Sequence, residues 1–194
     1  MKRITGITML ALLSVLTQSG CSGDEHHGYT VKSQYRGGIK TVAVPIFIRG
    51  KNVYRRELED RLTEAVVKRI EADTPYKVTV KERADTVLTG TIVNVNQRIL
   101  SFNSDTGDPR EMEITLKINF TWTDLRTGDT LVEKKDFLVS GDYVTEIPYE
   151  EDSDGKYVPD PDAENRMTED FFQGSENVIN RAAKRIVETM EAPW

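Results

Sequence analysis

Ser19-Gly20-Cys21 is the place in this sequence where residue types and spacing prescribe a covalent chemistry. Cys21 is the only cysteine, and the two residues before it are small. A lipoprotein signal peptidase accepts that arrangement once the thiol has received a diacylglyceryl group. Ahead of it, Lys2 and Arg3 precede an uncharged, mostly apolar run from Ile4 to Leu16, the pattern of an export signal. The run gives way to Thr17, Gln18 and Ser19, well short of the roughly 20 apolar residues a spanning helix needs. The expectation is therefore cleavage after Gly20, with Cys21 as the lipidated first residue. Gln18 departs from the usual motif, which has an apolar residue three places before the cysteine. An ordinary secretory signal would instead leave Cys21 as an odd thiol in an oxidising compartment. Ser22 is not the aspartate associated with inner-membrane retention, which points to the outer membrane.

Little else in the chain has the raw material for catalysis. The two histidines, His26 and His27, are adjacent in a polar, glycine-containing segment, without the further ligands that fix a metal site. One cysteine and two histidines exclude a disulfide framework, a cysteine–histidine pair and the common zinc sites. No nucleophile elbow, phosphate loop or dinucleotide fingerprint occurs. Carboxylates are abundant but concentrate at 145–165, among Pro148, Gly155, Pro159 and Pro161, where no rigid element would hold them. Asp152-Ser153-Asp154-Gly155 resembles the start of a calcium loop but lacks its later glycine and closing glutamate. The chain is read as a non-enzyme that needs no cofactor. With Lys2 and Arg3 gone, 24 basic residues face 32 acidic ones, a net charge of −8 that argues against nucleic acid as a partner.

The elements that would carry any binding surface follow from periodicity. Residues 21–38 suit a lipid-anchored tether, and 39–194 a single domain with its acidic loop at 145–165. Thr41-Val42-Ala43-Val44-Pro45-Ile46-Phe47 reads as a strand buried on both faces, ended or placed at an edge by Pro45. Helical spacing of Leu58, Leu62, Ala65, Val66 and Ile70 predicts a helix from about Val53 to Glu71, capped by Asn52 and stopped by Pro75. A short strand follows at 76–80, then long strands at 86–100, 111–124 and 131–140 forming an antiparallel meander. In the second of these, Met112, Ile114, Leu116, Ile118, Phe120 and Trp122 alternate with polar residues, so one face is core and the other wet. A last helix from about Glu176 to Glu191 carries an apolar stripe from Val178 to Met190; Phe171 and Phe172 are candidates to extend it, while Gly174 argues against an unbroken start. The class is α+β: a two-layer sandwich, its mixed but largely antiparallel sheet of about four to five strands carrying two helices on one face.

The order of these elements, with Ser19-Gly20-Cys21, Gly28-Tyr29, the 39–47 string, Glu57-Leu58-Glu59, Leu62-Thr63-Glu64-Ala65 and Ala84-Asp85-Thr86-Val87-Leu88-Thr89-Gly90-Thr91-Ile92, resembles the lipopolysaccharide-assembly lipoproteins of the LptE family. The strings cover the first half; the second half matches in pattern. The resemblance implies a lipoprotein in the inner leaflet of the outer membrane, facing the periplasm. It implies a partner, the large LptD-like β-barrel that such proteins plug while lipopolysaccharide is assembled at the surface. It also implies cationic contacts to lipid A phosphates, for which Arg98, Arg110, Lys117, Lys134 and Lys135 qualify, since they lie on or beside predicted strands. The competing reading is an accessory lipoprotein of another envelope secretion or assembly complex.

Overall fold

The computed structural model describes residues 35–104, 107–145, 149–151, 157–159 and 163–191. Cys21, the export signal, His26, His27 and the Asp152–Gly155 string lie outside them. Along the chain come β1 (Thr41–Ala43), β2 (Ile48–Arg49), α1 (Leu58–Asp73), β3 (Lys77–Val78), β4 (Thr86–Phe102), β5 (Pro109–Asp124), β6 (Thr130–Val144), β7 (Tyr149–Glu151), β8 (Tyr157–Pro159) and α2 (Ala163–Glu188). The main sheet runs β3-β1-β4-β5-β6, with β2 also lying against β4. Pairs among β1, β2, β3 and β4 are parallel, while β4, β5 and β6 form the expected antiparallel meander.

The sheet thus has six strands, because Pro45 splits the 41–47 run. A proline has no N–H for the ladder, so β1 ends at Ala43 and the chain rejoins β4 at Ile48 opposite Thr91. Between the two pieces Phe47 turns inward, 1 % exposed, while Ile46 and Ile48 remain outside. The backbone N–H of Phe47 donates to Thr63 Oγ1 at 2.9 Å, and that hydroxyl donates to the Glu59 carbonyl at 2.6 Å.

Both helices differ from the expected limits for local reasons. Asn52 is not the cap of α1. The helix begins at Leu58 after Glu57, whose φ of 74° is left-handed and whose side chain makes no capping bond. Val53 still enters the core, from the preceding turn. The other end conforms: Thr74, before Pro75, is extended at φ −119° and ψ 159°, as steric pressure from a following proline requires. Leu58, Leu62, Val66 and Ile70 are all fully buried, one apolar residue every four positions down α1. α2 starts at Ala163, thirteen residues before the expected Glu176, and runs unbroken through Gly174. Its stripe of Val178, Ile179, Ala182, Ala183, Ile186, Val187 and Met190 packs into the same core. Within 145–165, expected as a loop throughout, Tyr149–Glu151 pairs antiparallel with Tyr157–Pro159.

The alternation read in β5 holds from Ile114 to Trp122, while Met112 is only partly buried. Ile114, Leu116, Ile118, Phe120 and Trp122 are buried, and the residues between them are partly exposed on the face away from the helices. Trp122 is fully buried, yet its indole N–H donates to Thr86 Oγ1 at 2.9 Å, so burial leaves no donor unpaired.

The end of the sheet where β1 and β4 begin is tied by carboxylates. Asp85 Oδ2 accepts from the backbone N–H of Lys40 at 2.8 Å and of Thr41 at 3.0 Å, which holds its carboxyl below the ordinary range. Arg126 grips Asp124 through Nη2 at 2.8 Å and Nε at 3.2 Å, while its Nη1 donates to the Gly38 carbonyl at 2.9 Å. Side-chain and backbone hydrogen bonds from Arg126 lower the Asp124 carboxyl from 3.8 to about 2. A carboxyl depressed in the fold binds its proton more weakly there than in the unfolded chain. Its stabilisation is whole above pH 3.8 and drains away as pH falls through 3.8 toward about 2. Asp124→Asn should therefore melt lower than wild type at pH 6, with the two midpoints converging near pH 2 in a calorimetric series. A gap that stays constant with pH would overturn the clasp.

Candidate functional site

The wet face of the sheet, on the side the helices leave open, carries a shallow depression of about 210 Å3. Strand register assembles it. Thr89 on β4 stands opposite Thr121 on β5, and Thr91 opposite Asn119, so these polar side chains share one surface. Ile48 borders the depression from β2, and Glu133, Lys134 and Lys135 border it from β6.

Lys135 is brought there by a β-bulge. Ile118 pairs with Phe137 and Phe120 with Lys134, which sets Lys135 and Asp136 together against Asn119. Asp136 takes the extra residue's left-handed conformation at φ 52°. Two β5 side chains hold the bulge: Asn119 Oδ1 accepts from the Asp136 N–H at 2.8 Å, and Lys117 Nζ lies 3.3 Å from the Asp136 carboxylate. Lys135 is 3.0 Å from Glu133, while Lys134 is exposed and forms no ion pair with any described residue.

Only part of the expected cation set gathers here. Lys134 and Lys135 line the depression, and Lys117 is its neighbour along β5, turned to Asp136. Arg98 lies on the same face but four β5 positions farther on, where it pairs with Glu113 at 3.0 Å. At about 3.4 Å per residue that is roughly 14 Å from Lys117. Arg110 is exposed at the start of β5, and its carbonyl accepts from the Thr145 N–H at 2.8 Å. The five residues therefore do not form one cluster: Arg98, Lys117 and Lys135 follow the wet face, whereas Arg110 has the alternation of Met112 and Ile114 and Lys134 stands opposite Phe120. Sequence reasoning missed Ile48, Thr89, Thr91, Asn119 and Thr121 as lining residues. Alternation marks the β5 members as outward, but which β4 residues stand beside them is a matter of register.

The Lys135 ammonium, three hydroxyls and an amide can bind an anionic, hydroxyl-bearing group. No imidazole, thiol or close carboxylate pair joins them, and no described cluster of three or more His, Cys, Asp or Glu residues could hold a metal ion. No described helix is long and apolar enough to cross a membrane.

Fold and site together define a two-layer α+β domain with an open, cation-bordered sheet face. The family profile of LptE, described as lipopolysaccharide-assembly, matches residues 39–192. The chain belongs to that family. Similar solved structures include rare lipoprotein B from Shewanella oneidensis, at 18% identity and a TM-score of 0.46 over 78% of this chain and 93% of that one. Lipoprotein B from Nitrosomonas europaea matches at 16% identity and a TM-score of 0.45, over 82% and 87%. The PelC dodecamer from Paraburkholderia phytofirmans matches at 10% identity and 0.43, over 84% and 96%. No curated protein matches the chain.

Proposed function

We propose that this chain is a non-enzymatic outer-membrane lipoprotein, anchored through lipid on Cys21, that plugs an LptD-like β-barrel and takes part in assembling lipopolysaccharide at the cell surface. The observation that carries the reading is the family match across residues 39–192. The open face of the sheet suits it chemically. Lipid A presents phosphates on a sugar scaffold, and Lys135 beside Thr89, Thr91, Thr121 and Asn119, with Lys134 at the rim, offers charge-assisted and neutral hydrogen bonds to such a group. Lys117 and Arg98 extend this face, along which a large headgroup would lie.

The test is purification from the native envelope in mild detergent, with mass spectrometry of the co-purifying chains and of the N-terminus. A large outer-membrane β-barrel in fixed proportion, with acylated Cys21 as first residue, is the expected result. Recovery of a different complex, or of the protein alone with an unmodified terminus, would sink the reading. A second experiment separates partner from glycolipid. Lys134→Glu with Lys135→Glu should leave barrel recovery and the melting curve unchanged while weakening lipopolysaccharide retention about tenfold, or ~1.4 kcal/mol. Unchanged retention would remove these lysines from the site.

A further inference from the structure

β6 is the outermost strand of the sheet on its meander side. An outermost strand presents unpaired N–H and C=O groups along its free edge, a template on which another strand can add. In an antiparallel ladder both backbone groups of a residue point the same way, and alternate residues point outward. Leu138 and Ser140 are two such residues, and neither carbonyl is left open. Arg181 Nη1 donates to the Ser140 carbonyl at 2.6 Å, and Arg185 Nη1 donates to the Leu138 carbonyl at 2.8 Å.

The match is one of periods. Arginines four positions apart on a helix are separated by about 6 Å along its axis, and strand residues two positions apart by about 6.8 Å. Because α2 and β6 run in opposite senses at this contact, each successive outward carbonyl meets one guanidinium. Both arginines are exposed and form no ion pair with any described residue. Arg185 is further fixed by stacking over the Phe137 ring, 4.6 Å from its centroid. The part of the edge before Leu138 is blunted differently: Glu133, Lys134 and Lys135 place charges along it, and the Asp136 bulge twists it out of register.

We infer that Arg181 and Arg185 close the outer edge of β6 against strand addition by a second copy of this chain. The occupant excluded is another β6, because two copies meeting through a dyad would bring the same edge together antiparallel. This inference is independent of the lipopolysaccharide reading, since it concerns how the free chain stays single.

The test is sedimentation equilibrium of the full chain in one detergent from about 5 to about 200 μM, the range in which exposed edges associate. Wild type should hold a constant mass. Arg181→Ala with Arg185→Ala should rise toward twice that mass. Adding Ser140→Pro should return it to the single chain, because an outward-pointing N–H is dispensable to the β5–β6 ladder but required for a new one. A double variant that keeps the wild-type circular dichroism and constant mass would overturn the inference, as would association that the proline does not reverse. Should the double variant fail to fold, each single arginine variant carries the same pair of measurements.

Discussion

Gly90→Ala is expected to destabilise the protein by about 3 kcal/mol in a urea titration. Backbone preference alone has the opposite sign, since alanine in place of a strand glycine restricts the unfolded chain and stabilises by roughly 0.5 to 1 kcal/mol. The cost comes from Phe47. Any Cβ at position 90 would overlap its ring, and the ring cannot yield because it is 1 % exposed and its backbone is tied to Thr63. A cycle with Phe47→Ala isolates the contact. Each single change should cost about 3 kcal/mol or more, while the pair should cost at least about 1 kcal/mol less than their sum. Strict additivity would show that Phe47 and Gly90 do not meet.

That contact also bears on what the sequence disclosed. The strings 39–47 and 84–92 carried the family resemblance, and the fold places them side by side. Phe47 needs the bare backbone at Gly90, and Asp85 holds the N–H groups that open β1. Elements with strong internal period were legible because burial of one face dictates them: the four-residue stripe of α1, the two-residue alternation of β5, the apolar stripe of α2. What resisted was set by partners distant in sequence. The division of 41–47 into two strands depends on β4 receiving both pieces, and the passage of α2 through Gly174 depends on its close approach to Tyr143 of β6. The β7–β8 pair had a local signal, Asp154-Gly155 between runs containing Tyr149 and Tyr157, which the acidic composition outweighed. At the candidate site, alternation gave Lys117, Asn119 and Thr121 their common face. The bulge at Asp136, which brings Lys135 beside them, has no signature in the local composition.

Gly174 is the sharpest of these cases, because local and tertiary arguments give opposite signs for a single methyl group. As a mid-helix glycine it should gain about 1 kcal/mol on replacement by alanine, through helix propensity. On that ground the sequence alone argues against an unbroken helix there. In the fold α2 continues through it, and a Cβ at 174 would overlap Tyr143, bearing on both its Cβ and its ring. Tyr143 has little freedom to move aside: it lies on β6 opposite Met112, and its hydroxyl accepts from Gln97 Nε2 at 3.0 Å. Gly174→Ala should consequently destabilise by about 2 kcal/mol, the ordinary cost of overpacking, measured by urea unfolding. The background decides the cause. With Tyr143→Ala already present the clash is gone, propensity is left alone, and Gly174→Ala should then stabilise by up to about 1 kcal/mol. A destabilisation that persists without the tyrosine would mean that Gly174 serves the backbone of α2, and that the helix is held against β6 by something other than this close approach.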